Sequence, residues 1–137
     1  MGLVFLDTNV IVRYITQDDS EQAQRAHDFF EQVEAGAQSI TACEGVIVES
    51  VQVLSSKRLY NHPRSEVRGY LTALLRLPGF HLPGKRIYLQ ALDLYASTNL
   101  DFVDALAAAH LKRTKLTTIV SFDRDFDRIP GITRREP

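Results

Sequence analysis

Gly2-Leu3-Val4-Phe5-Leu6-Asp7-Thr8-Asn9 is the stretch whose reading decides the fold. Its five small or apolar leading residues read as a central strand buried on both faces. The strand runs straight into a carboxylate, a hydroxyl and an amide, and then into the apolar helical stretch Val10–Ile15. In open α/β sheets ligands bind in the crevice outside the carboxyl ends of the strands, where Asp7 would stand. Asp7, Thr8 or Asn9 could instead simply cap the first helix, a role that all three residue types fill well. Deciding between the two requires other acids at similar junctions.

Three further segments supply them. Lys115–Val120 reads as another buried strand, and it ends in Ser121-Phe122-Asp123-Arg124-Asp125-Phe126, again a hydroxyl and carboxylates at a strand's carboxyl end. Asn99–His110 is an alanine-rich helix with Asp101 and Asp104 at its start. Asp101 suits the N-cap and Asp104 the third helical position, where negative charge complements the helix dipole. That account is incomplete for Asp104, because helix N-termini also gather ligands near strand ends. Glu44–Leu54 is rich in β-branched residues, but its length and the short strand before it favour a helix. In that helix Glu49 shares a face with Val46 and Val53. A carboxylate within an apolar stripe is costly unless it is paired or binds a cation. The alternative places Glu49 at the edge of the stripe, pointing to solvent.

The remaining elements alternate. Apolar residues at three- and four-residue spacing predict helices over Glu21–Ala35, Ser65–Leu77 and Ile87–Ser97. Gln38–Thr41 reads as a short strand, Phe80–Leu82 as a brief one, and Ile129–Ile132 as a last addition. This order predicts an α/β fold, a parallel twisted sheet flanked by helices in a single domain over residues 1–137. Lys57 and Arg58, with Arg64, Arg68 and Arg76 on the outer face of the 65–77 helix, form either a solvated surface or a nucleic-acid contact.

Composition narrows the function classes. A net charge of −1 over 137 residues argues against nucleic-acid binding by bulk positive charge and leaves room for local basic patches. The single Cys43 excludes an internal disulfide framework and suits a reducing cytoplasm. No apolar run approaches the ~20 residues of a membrane span, and no secretory leader opens the chain. The four histidines show no metal-ligand spacing, and there is no phosphate-binding glycine loop.

If Asp7, Glu49, Asp104 and Asp123 converge, their charges require compensation by protons or cations. An all-oxygen set without His or Cys selects hard cations, Mg²⁺ or Mn²⁺. Such an ion can activate water and stabilise the charge developing on a phosphodiester, which is the chemistry of phosphate-backbone hydrolysis. An aspartyl-phosphate phosphatase is disfavoured, because it needs Asp-x-Asp where this chain has Asn9.

Four segments in this order, Val4–Val10, Val48–Val51, Asp101–Ala105 and Ser121–Phe126, resemble the PIN-domain family, and within it the VapC-type toxins. The resemblance covers essentially the whole chain. It implies a PIN-like α/β/α fold and a Mg²⁺- or Mn²⁺-dependent endoribonuclease acting on single-stranded or loop RNA. Asp7, Glu49, Asp104 and Asp123 match the family's acidic quartet, with Thr8, Asn9 and Ser121 orienting them and Asp101 and Asp125 as auxiliaries. Glu44 is disfavoured against Glu49, since family members place that acid in mid-helix. The resemblance further implies a cytoplasmic homodimer silenced by a small antitoxin protein. A non-toxin nuclease and a non-cutting PIN-like module that binds RNA or protein are the alternatives.

Overall fold

The computed structural model describes residues 2–137. The chain divides into two compact units, one reaching to Lys85 and the other running from Arg86 to Pro137.

The first unit begins with strand β1 (Val4–Phe5), followed by helices α1 (Thr8–Thr16) and α2 (Ser20–Glu34). Strand β2 (Ile40–Thr41) then leads into α3 (Glu44–Ser55) and α4 (Arg64–Leu75). β1 and β2 run parallel, with Val4 opposite Ile40 and Phe5 opposite Thr41. Parallel neighbours need a crossover, and α1 with α2 provides it. Asp19 starts α2 by accepting a hydrogen bond from the Gln22 N–H at 3.0 Å. The apolar faces of these helices meet in a dry core that includes Ile11, Val33, Ile47, Leu54, Val67 and Leu71.

On the far side of β2 the expected third strand shrinks to a parallel bridge from Ile40 to Phe80. It is held by the Ile40 N–H on Gly79 O and the His81 N–H on Ile40 O, both at 2.7 Å. The close approach needs a glycine, because a Cβ on Gly79 would stand 2.3 Å from Gln38 O and 2.7 Å from Val33 O. Both neighbours are backbone and cannot swing away. Gly79→Ala is therefore expected to destabilise the protein by about 1–3 kcal/mol, the usual cost of overpacking. A urea midpoint equal to that of the wild type would refute this.

The second unit holds most of α5 (Lys85–Ser97), followed by α6 (Phe102–Thr114) and strand β3 (Thr118–Val120). A 3-10 turn (Arg124–Arg128) and strand β4 (Thr133–Arg135) complete it. β3 and β4 are also parallel, pairing Thr118 with Thr133 and Val120 with Arg135. Small residues let α6 pack closely, and Ala105, Ala108 and Ala109 are fully buried.

The α/β class and the parallel pairing are as the sequence predicts. Three local expectations are corrected. Residues 2–6 do not form a strand buried on both faces: β1 has two residues, and Val4 and Phe5 are 43% and 61% exposed. β3 is likewise largely exposed rather than buried. The last strand lies at Thr133–Arg135, not at Ile129–Ile132, which turns through Gly131 at φ 83°. An apolar run shows a capacity for burial, but whether both faces are covered depends on distant neighbours.

Candidate active site

Asp7 stands directly after β1 and is the N-cap of α1. Its Oδ2 accepts from the Asn9 N–H at 3.4 Å, a long bond that leaves the other carboxylate oxygen unused by the cap. Thr8 is buried and Asn9 is exposed. Asp7 and Asn9 line a groove of about 610 Å³ within the first unit, whose walls include Phe5, Val10, Phe29, Arg13 and Arg25. Capping of α1 by Asp7 therefore does not exclude a site role for it.

Glu49 lies midway along α3 and is exposed, while its neighbour Ser50 is fully buried with its hydroxyl on Val46 O at 2.7 Å. It stands at the border of the apolar stripe, so its charge carries no burial cost in this unit. Glu44, in the first turn of α3, is also exposed.

The second unit gathers the other acids. Asp101 occupies the N-cap of α6, but its side chain makes no capping hydrogen bond. The capping role expected of it is therefore corrected: position alone does not make a cap when the carboxylate turns elsewhere. Asp104 lies in the first turn of the same helix. After β3, the Ser121 hydroxyl accepts from the Asp123 N–H at 3.0 Å, and Asp123 Oδ1 accepts from the Asp125 N–H at 2.9 Å. These two nested turns fix the direction of the Asp123 carboxylate.

Electrostatics ties the four together. The Asp104 carboxyl is held above the usual carboxylate range, first by burial and then by the negative charges of Asp123, Asp101 and Asp125. A negative group in the first turn of a helix should be stabilised by the dipole. Desolvation and like-charge repulsion act against that contribution. An all-carboxylate set of this kind fits a hard divalent cation, whose charge would offset the repulsion.

Within the second unit, no three of these carboxylates bring ligand oxygens within 4.8 Å of one another. Among the described residues, only His27, Asp28 and Glu31 bring three potential ligand atoms within 4.8 Å of one another. All three are exposed on α2, and the His27 imidazole lies 3.7 Å from Asp28 and 3.8 Å from Glu31. Glu31 lies three residues from Asp28 and four from His27, spacings at which exposed helix side chains meet without any ligand.

Arg134 has no counterpart in the sequence reading. From β4 its Nη1 donates to Ser121 O at 3.0 Å, while Nε donates to Asp127 Oδ1 at 3.0 Å. Asp127, first through its hydrogen bond, holds the guanidinium more firmly protonated. Arg134 thus braces the peptide that presents Asp123. The contact follows from the parallel register of β3 and β4 across thirteen residues, and no local pattern announces it.

Among the described residues, no helix is long and apolar enough to cross a membrane. The family model of the PIN domain matches residues 4–132. A VapC ribonuclease from Aquifex aeolicus (strain VF5) is 25% identical over 124 residues, covering 90% of each chain. With the match to the PIN domain running over nearly its whole length, the chain belongs to the PIN-domain family.

Proposed function

We propose that this protein is a metal-dependent endoribonuclease that cuts single-stranded or loop RNA, and that it is the toxin of a type II toxin–antitoxin pair. The observation that carries the reading is the Asp104 carboxyl, raised by burial and then by the charges of Asp123, Asp101 and Asp125, in a PIN-family chain. Similarity to a VapC ribonuclease supports the RNA substrate.

In this reading Asp7, Glu49, Asp104 and Asp123 hold Mg²⁺ or Mn²⁺, with Asp101 and Asp125 adding negative charge. When bound, the cation supplies activation of water and stabilisation of the charge developing on the phosphodiester. Ser121 and Arg134 hold the Asp123 segment in place. Thr8 and Asn9 set the direction of Asp7 at the start of α1. The cation would offset the mutual repulsion of the acids and supply the chemistry, so the site is inactive without it. The same acidic surface suits inhibition by a small partner protein that inserts an Arg or Lys among the carboxylates. A cytoplasmic homodimer completes the proposal.

The test is direct. Purified protein incubated with single-stranded and hairpin RNA should cut only when Mg²⁺ or Mn²⁺ is supplied, and EDTA should stop it. RNA binding without cleavage at any metal concentration would replace this reading with that of a non-cutting module.

A further inference from the structure

We propose that the Lys57–Tyr60 turn and the start of α4 form a docking surface for single-stranded RNA, built from residues other than the acids that cut. The proposal rests on the nuclease reading for its choice of ligand. The segment from 57 to 68 contains four basic residues and one acid, Glu66, in a chain whose overall charge is −1. Lys57 and Arg58 are exposed, and neither makes an ion pair among the described residues.

The turn that presents them is tightly tied. The N–H groups of Leu59 and Asn61 both donate to Ser56 O, at 3.0 and 2.9 Å, and the His62 N–H donates to Leu54 O at 2.9 Å. The Tyr60 hydroxyl donates to Asp18 Oδ2 at 2.5 Å, and Arg13 reaches the same carboxylate at 2.9 Å. A turn fixed in this way holds its two cations in place before any ligand arrives, so binding orders little further.

Aromatic rings continue the surface. Tyr60 stacks on His62 with ring centroids 6.4 Å apart, and His62 meets Tyr70 edge-on at 5.7 Å. Tyr70 is 40% exposed and Leu59 is 61% exposed. The segment thus offers an exposed ring and an exposed leucine as well as two cations without ion pairs. Positive groups that meet phosphates, next to ring faces on which unpaired bases stack, are the two components of single-strand binding. A duplex would keep its bases stacked inside and leave the rings unused.

Binding of a fluorescently labelled single-stranded RNA of about twenty nucleotides, followed by anisotropy in EDTA, tests the surface without reference to cleavage. Lys57→Glu combined with Arg58→Glu should weaken binding roughly tenfold or more at low salt. It should also flatten the dependence of log K on log salt by about 1.4, at ~0.7 per lost phosphate contact. Tyr70→Ala should weaken binding roughly tenfold through the loss of one stacked base, whereas Tyr70→Phe, which keeps the ring, should bind as the wild type does. In cleavage assays with metal, the charge-reversed protein should show a raised KM for long RNA with kcat retained. Wild-type affinity and salt slope in the charge-reversed protein would overturn the proposal and leave the nuclease reading standing. So would loss of binding to an inhibiting partner protein with RNA binding intact, which would assign the surface to protein. Wild-type protein that binds RNA in EDTA through these residues but never cuts it would instead overturn the nuclease reading alone.

Discussion

Asp104→Asn is expected to lower metal-dependent RNA cleavage by at least about a hundredfold while leaving the protein folded. Loss of residues that merely orient metal ligands already costs ~10–100-fold, and the proposal makes Asp104 a ligand itself. The substitution keeps the shape and removes a charge that burial, Asp123, Asp101 and Asp125 all disfavour. Asp7→Asn should be equally damaging, and it isolates the site from the cap: Asn is as good an N-cap as Asp, so α1 should persist. The check is initial cleavage rates in Mn²⁺ beside circular dichroism of each variant. If either protein cut RNA at the wild-type rate, the assigned site would be wrong.

The second expected result concerns stability and needs no substrate. In EDTA at neutral pH, Asp104→Asn should melt at or above the wild-type temperature. Most point changes instead destabilise, by about 1 kcal/mol. The reason is the direction of the Asp104 shift: its folded carboxyl sits above its unfolded value, so folding favours the protonated form and resists the charged one. The stabilising contribution of that proton is fully present below the unfolded value near pH 3.9 and is lost as pH rises through the higher folded value. The Asn variant carries no such slope, so its advantage over the wild type should shrink as pH falls towards 4. With millimolar Mn²⁺ the order should reverse. A cation that binds only the folded protein stabilises it by mass action, and the wild type should gain more than the variant. If Asp104 served the helix dipole alone, its removal would cost ~0.3–1 kcal/mol in either buffer. Equal depression of the melting temperature with EDTA and with Mn²⁺ would exclude Asp104 from the site.

What the sequence by itself determined is what short-range chemistry controls. Apolar spacing, stretch length and an alanine-rich run placed the described helices within a few residues of their observed limits. Their alternation with strands announced parallel pairing, and Asp7 and Asp104 stand at helix starts as their neighbours imply. These features depend on residues within one or two turns of each other. Only the tertiary structure decided which side chains are covered. Leu3, Val4 and Phe5 are apolar enough for a core and are nevertheless exposed, because burial is conferred by elements far away in the sequence. Asp101 occupies a cap position without capping. Arg134 reaches the carbonyl of Ser121 through strand register. Tyr60 fixes its turn to Asp18 across forty-two residues. Such contacts depend on how the backbone brings distant segments side by side, which no local periodicity encodes.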